Sequence, residues 1–491
     1  MSVSRRTLLG SGLVGAASLA LPRVAAATPA KKKAKNIIFC VSDGMSMGVP
    51  TMTDHLSQIL HGKNSYWAWL LKQDFTTKGL QDTRSLNSLV TDSSAAASSW
   101  GSGRHIWNGQ VNVFPDGTKL RTLTQLMVEH KVRCGLVTTA TITHATPAGF
   151  CVNAPDRDDQ AFIASEYLTS GVDVLLGGGD QYFAAESRKD KRDLYTEFAQ
   201  AGYAVAKDRA SLMASKGNRI LGIFSKSHIP YSVDRDNSAE LTASTPTLAE
   251  MAKVAIDTLK SSKNGFLLQI EGAKIDHGAH ANDLAAMLYD QMAFEEAVRV
   301  AVEFAQQDGE TLVVITADHG NANPGLNGYG AEYIDSTAGL ESLTQMKASY
   351  EVMNKLIGKD LTRIPDVIKD RLGITLKPAE IDALTSIYQD KSPYASSIFL
   401  NNKTAGLGVI LGNYSKVTWT STNHTSDYVL VTALGPGREQ FEGLTQNVDY
   451  NTWILAHKDI RHDNPTMTFE EAKKHYGAKP EREEEALAHW E

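Results

Sequence analysis

Six short, near-continuous apolar runs punctuate the chain, at 36–41, 134–140, 172–176, 265–270, 311–316 and 428–433. Runs of this length without alternation are the pattern of parallel strands covered on both faces. Helical periodicity fills the spaces between them, at 122–131, 247–259 and 283–308. In the last of these, Ala286, Tyr289, Met292, Ala293, Ala297 and Val300 recur with a 3.6-residue rhythm that marks one buried face. The alternation predicts an α/β fold, a doubly wound and mainly parallel sheet with helices on both faces.

One region breaks the rhythm. After residue 321 comes a Gly/Asn-rich loop, Asn323-Pro324-Gly325-Leu326-Asn327-Gly328-Tyr329-Gly330, and then two helix-rich stretches, 340–357 and 362–387, separated by Gly358-Lys359-Asp360. Pro378 suits the first turn of a helix there. The pattern predicts a helical insertion over about 323–420 within one catalytic domain at 28–491, either closing over the site or forming a subunit contact. Beyond about 451 the chain turns polar and charged, which predicts a peripheral helix or loose tail to 491.

The N-terminus reads as an address. Ser4-Arg5-Arg6-Thr7-Leu8-Leu9 carries paired arginines, a modestly apolar run continues to Leu21, and Ala25-Ala26-Ala27 offers small residues for cleavage. This predicts a twin-arginine signal peptide at 1–27, with export of the folded protein to the periplasm or outside the cell. The run contains several glycines and falls short of the ~20 apolar residues a membrane span needs, so no span is expected in the mature chain.

Composition adds limits. Of 491 residues, 42% are hydrophobic and 21% charged, an ordinary globular balance with ample core. The formal net charge is −7, and loss of Arg5, Arg6 and Arg23 with the leader takes it to −10. That sign argues against a general nucleic-acid or anionic-membrane surface. Three cysteines, Cys40, Cys134 and Cys151, cannot close a disulfide framework, and they read as buried structural thiols.

The polar residues that follow the apolar runs carry the chemistry. Asp43 leaves the first run with Gly44 to permit a turn, Glu271 ends the fourth, and Asp318-His319 follow the fifth. Carboxylates at buried strand ends need compensating positive charge, and metal ions supply it directly. Asp276 and His280 are four apart, which puts both on one helix face. Mixed Asp/His coordination suits zinc. Each of these residues alone is equally a helix cap or a surface pair; together they are not easily read that way. Ser93, in Asp92-Ser93-Ser94-Ala95-Ala96-Ala97, enters a small-residue helix whose start suits phosphate, although capping by Asp92, Ser93 or Ser94 is the plainer role. Arg157 has the planar fork for two phosphate oxygens and could equally be a surface arginine.

These segments, with Thr143-His144-Ala145-Thr146-Pro147 and Asn423-His424-Thr425, occur in the order found in the alkaline phosphatase family, which the chain resembles from residue 36 to about 425. The resemblance implies that Ser93 is a nucleophile passing through phosphoserine. It implies one zinc held by Asp276, His280 and His424, and a second held by Asp318 and His319 with Asp43 bridging. It further implies a magnesium site at Asp43, Thr146 and Glu271, phosphate binding by Arg157, and a homodimer acting on phosphate monoesters. His144 and His277 stand where well-known bacterial members carry aspartate and lysine. His144 therefore opens the third site to zinc or cobalt, which imidazole suits better, and His277 is expected to reach phosphate through water.

Three other functions compete. A phosphodiesterase of the same superfamily is expected to use threonine and to lack the third site. A sulfatase needs a Cys/Ser-x-Pro-x-Arg setting, which Cys151-Val152-Asn153-Ala154-Pro155 does not provide. A non-catalytic metal or phosphate binder would not need Ser93.

Overall fold

The computed structural model describes residues 32–475 apart from 393, 395, 401 and 402. The signal peptide expected over 1–27 lies outside the described residues, as does the end of the chain after 475.

Among the described residues, ten strands form one sheet. In chain order they begin with β1 (Asn36–Ser42), β2 (Thr76–Asp82), β3 (Arg133–Thr141), β4 (Val174–Gly178) and β5 (Ala204–Ala206). The sheet continues with β6 (Ile220–Ile223), β7 (Phe266–Gly272) and β8 (Thr311–Thr316). Four two-residue strands lie outside it: β9 (Gly320–Asn321), β10 (Gly325–Leu326), β11 (Val417–Thr418) and β12 (His424–Thr425). β13 (Val429–Leu434) and β14 (Gly443–Gln446) complete the sheet, whose order is β14-β2-β13-β8-β1-β7-β3-β4-β6-β5.

β8, β1, β7, β3, β4, β6 and β5 run parallel. Within the sheet only β13 opposes its neighbours, β8 and β2. The expected mainly parallel sheet is present, and so are helices on both faces. Successive residues of β1 enter opposite cores, as strand geometry requires. Ile38 and Cys40 pack with the helices Leu248–Leu259 and Leu284–Asp308, whereas Ile37, Phe39 and Val41 face the helices Ser93–Ser102, Leu123–Glu129 and Asp449–Ala456. All three cysteines are buried free thiols.

Several details depart from the sequence reading. β2, β5, β6 and β14 were not anticipated. β2, Thr-Thr-Lys-Gly-Leu-Gln-Asp, lies near the sheet edge and buries few of its side chains, so it lacks the apolar run of a central strand. In the helix Leu284–Asp308 the predicted Ala286 and Ala297 are buried, but the core face extends beyond the predicted stripe. Met287, Phe294, Val298, Ala301 and Ala305 are buried, whereas Tyr289, Met292 and Val300 are only partly so. The chain also stays in the core past 451. In the helix Asp449–Ala456, Tyr450, Ile454 and Leu455 are buried, and Asn451 Nδ2 donates to the carbonyls of Trp100 and Gly101.

The stretch 323–420 is mainly helical, including Tyr350–Ile357, Ile364–Leu372, Pro378–Tyr388 and the unanticipated Lys403–Ser415. Its apolar residues Leu343, Met353, Ile368, Leu384 and Leu407 join the same core as β1. Antiparallel pairing of β10 with β11 and of β9 with β12 pins the two ends of this stretch together.

Candidate active site

Four adjacent strands, β8, β1, β7 and β3, deliver the predicted residues from their carboxyl ends. In open α/β sheets this edge collects chemistry because the chain leaves the sheet there in loops. β8 leads to Asp318 and His319, β1 to Asp43, β7 carries Glu271 and leads into the helix Lys274–His280, and β3 leads to His144 and Thr146. His424 arrives from far along the chain because β12 pairs with β9, setting it opposite Asn321. Gly44 has φ +69°, and a Cβ there would sit 2.4 Å from Asp276 Oδ1. The turn after Asp43 thus closes against the helix of Asp276 only because residue 44 has no side chain.

Three groups of ligand atoms converge: Asp276, His280 and His424; Asp43, Asp318 and His319; and Asp43, His144 and Glu271. In the first, His280 Nε2 lies 3.3 Å from Asp276 Oδ2, His424 Nε2 lies 3.7 Å from Asp276 Oδ1, and the two Nε2 atoms are 3.0 Å apart. Each ring is oriented by its other nitrogen. His280 Nδ1 donates to the Thr422 carbonyl at 2.5 Å, and His424 Nδ1 donates to the Thr91 carbonyl at 2.8 Å. With the proton on Nδ1, the two Nε2 lone pairs face each other, an arrangement that a cation resolves.

The second group is as closely set. His319 Nδ1 donates to the Gly320 carbonyl at 3.2 Å, leaving Nε2 3.1 Å from Asp318 Oδ2 and 3.6 Å from Asp43 Oδ1. Asp318 Oδ1 accepts the backbone N–H of Gly44 and of His319, while Oδ2 is buried with no hydrogen-bond partner. Both oxygens of Asp43 and of Glu271 are in the same condition, and so is the Thr146 hydroxyl. Buried carboxylates without donors are costly, and here they line the positions where ligand atoms meet. The donor set fits divalent cations.

Electrostatics follow from the crowding. Burial, and then the carboxylates of Asp318, Asp276 and Glu271, push Asp43 well above the usual range. Burial raises Glu271 to about 7. Burial also lowers His424 to about 3, and the neighbouring His319 adds to the effect.

Ser93 is the first residue of the helix Ser93–Ser102, and its Oγ lies 3.2 Å from His319 Nε2. Capping is done by Asp92, not by Ser93: Asp92 Oδ1 accepts the Ala95 N–H at 2.8 Å. Its Oδ2 accepts from Ser94 Oγ, Gly109 N–H and Arg157 Nη1 at 3.2 Å. One carboxylate thus fixes both the serine helix and the arginine, so Arg157, half-buried, is tied beside the site and is not a freely solvated surface arginine. Arg157 Nη2 is 3.4 Å from His144 Nε2. The small residues of this helix have a packing reason as well. A Cβ on Gly101 would lie 1.9 Å from the Gly149 carbonyl oxygen, so the helix beyond His144 can approach only a glycine.

The sequence reading missed Asn321. Its Nδ2 donates to Asp276 Oδ1 at 2.6 Å, and its backbone is held by Ser46 Oγ, which accepts from its N–H and donates to its carbonyl. Polar and two residues after His319, it offered no signal of its own. Replacing Asn321 with alanine is expected to weaken cation binding at the Asp276 group by about 10–100-fold. Competition with a chromogenic chelator measures this, and unchanged affinity would remove Asn321 from the site.

The family model described as alkaline phosphatase matches residues 34–458. Alkaline phosphatase 4 of Bacillus subtilis is 32% identical over 461 residues, covering 91% of this chain and 94% of that protein. Streptomycin-6-phosphate phosphatase of Streptomyces griseus is 30% identical, covering 63% of this chain and 80% of its own. Among solved structures, alkaline phosphatase from Thermus thermophilus superposes with a TM-score of 0.87 at 31% identity, covering 91% of this chain and 96% of that one.

Proposed function

We propose a mechanism for this chain from one premise: it belongs to the alkaline phosphatase family, and it is a hydrolase of phosphate monoesters. The family is metal dependent, and the chain carries the clusters to match. In our reading Asp276, His280 and His424 hold one zinc, and Asp318 and His319 with Asp43 hold a second. Asp43, Glu271 and Thr146, with His144 beside them, hold a third ion. That ion is magnesium or, because imidazole suits them better, zinc or cobalt. When bound, these ions supply Lewis acidity that offsets phosphoryl charge and lowers the pKa of a hydroxyl or water nearby.

The chain's own residues do the rest. Ser93 Oγ gives up its proton to solvent and attacks phosphorus, forming the Ser93–phosphate bond as the ester P–O bond breaks and the departing alkoxide takes a proton from solvent to leave as the alcohol. Water then attacks the same phosphorus, the bond to Ser93 breaks, and phosphate leaves while Ser93 regains its proton. Arg157, held by Asp92, offers its fork to two phosphoryl oxygens through both steps, so catalysis is chiefly positioning and electrostatics. The observation that carries this reading is Ser93 Oγ, 3.2 Å from His319 Nε2 at the start of a helix capped by another residue.

Export by the twin-arginine route and assembly as a homodimer belong to the same proposal, supported by the leader's residues and by family analogy. Among the described residues no helix is long and apolar enough to cross a membrane. The deciding assay is release of product from an aryl phosphate monoester and the matching diester, each with and without chelator. Faster turnover of the monoester, lost on chelation, is expected. Faster turnover of the diester would favour the phosphodiesterase, and chelator-resistant turnover would overturn the mechanism.

A further inference from the structure

A third histidine stands beside the Arg157 side of the site, and the mechanism above makes no use of it. His228 follows β6, His144 follows β3, and His277 lies in the helix after β7. The His228 and His277 ring centroids are 4.4 Å apart at 79°, those of His144 and His277 are 5.7 Å apart at 78°, and those of His144 and His228 are 5.8 Å apart at 86°. Each ring meets the other two edge to face.

The end of β3 builds this arrangement. The Thr141 backbone N–H donates to His228 Nδ1 at 3.2 Å. That bond uses the Nδ1 lone pair, so in the neutral ring the proton is on Nε2. The Thr139 carbonyl accepts the Ile229 N–H at 2.9 Å, and the Thr139 hydroxyl accepts from Ala273 N and Lys274 N at 2.9 and 3.2 Å. One strand end therefore ties down the loop of His228 and the start of the His277 helix, and it leads by a tight turn into His144. The loop itself is anchored through the Ile229 main chain, so the His228 ring is not needed to hold it in place.

We propose that His228 is a positioning residue for the phosphate of the substrate. Its ring, fixed by Thr141, sets the tilt of His277 and His144 and completes an imidazole wall continuous with Arg157. Loss of its two edge-to-face contacts would let the neighbouring rings shift their tilt, and displacements below 1 Å are enough to loosen a bound group. The inference rests on the monoesterase reading above and assigns to it a residue outside the nucleophile and the ion clusters.

The test uses the metal-loaded full-length protein and the variants His228→Ala and His228→Asn. Aryl phosphate kinetics are read beside calorimetric binding of inorganic phosphate and the melting temperature. His228→Ala is expected to raise KM and the phosphate Kd together by about three- to tenfold, the scale of one hydrogen bond or close contact, with kcat and Tm little changed. His228→Asn, whose amide oxygen can accept the Thr141 N–H, is expected to recover part of the loss. Unchanged KM and Kd in both variants would overturn the proposal. So would a loss confined to kcat, or a fall in Tm alongside KM that asparagine does not restore. If wild type hydrolyses no monoester, or Ser93→Ala retains full turnover, the reading of the site fails instead, and phosphate binding by the His228 variants still reports on the wall.

Discussion

Replacing Ser93 with alanine is expected to lower kcat for an aryl monoester by about 10³-fold or more, the scale seen when a covalent nucleophile is removed. The substitution should leave the fold intact. Ser93 is buried, but the helix that it begins is capped by Asp92, whose bonds to Ala95, Gly109 and Arg157 do not involve the Ser93 hydroxyl. The ligand groups at Asp276 and Asp318 also lack Ser93, so metal content should stay at the wild-type level. Phosphate affinity should likewise persist through Arg157. The measurements are steady-state turnover, metal content, and transfer of a labelled phosphoryl group to the protein, which should vanish. Unchanged turnover, or labelling that survives the substitution, would sink the assignment.

Removal of the metal ions is expected to abolish turnover and to make stability fall as pH rises. Asp43, Glu271, Asp276 and Asp318 share one buried region. Without cations, burial and mutual repulsion raise Asp43 and lift Glu271 to about 7. A carboxyl raised in the folded state is protonated there at pH values where the unfolded chain has already released its proton. Its contribution is fully present below the unfolded value near 4.5 and is lost as pH climbs through about 7. For Glu271 alone the change is on the order of 3 kcal/mol. Burial also lifts Asp283, Asp290 and Glu295 to about 7. They lie outside the three ligand groups and should act alike with and without metal. Comparing melting temperatures of stripped and zinc-reloaded protein from about pH 5 to about pH 8 therefore isolates the site. The gap should widen with pH; a gap that stays constant or narrows would contradict the assignment of Glu271 and Asp43 to the ion clusters.

What was legible in the sequence follows from burial. β1, β3, β7 and β8 are covered on both faces, so they are written as apolar runs, and the polar residues just past them stand out. β14 forms one edge of the sheet with β2 next to it, and β5 closes the other side in three residues. Edge strands bury less and leave a weaker trace. The predicted stripe of the helix Leu284–Asp308 covers only part of its buried surface, because a helix wedged between the sheet and other helices buries more than one face.

By itself the sequence determined the α/β class, the order of the reactive segments and the types of donor that they offer, because each depends on residues that are neighbours along the chain. Only the tertiary structure decided which donors meet. His424 joins Asp276 through the pairing of β9 with β12, Asp92 ties Ser93 to Arg157, Asn321 orients Asp276, and His228 reaches His277 from another strand end. Those contacts join residues far apart in the chain, and distance in space is fixed by how the sheet is wound rather than by any local pattern.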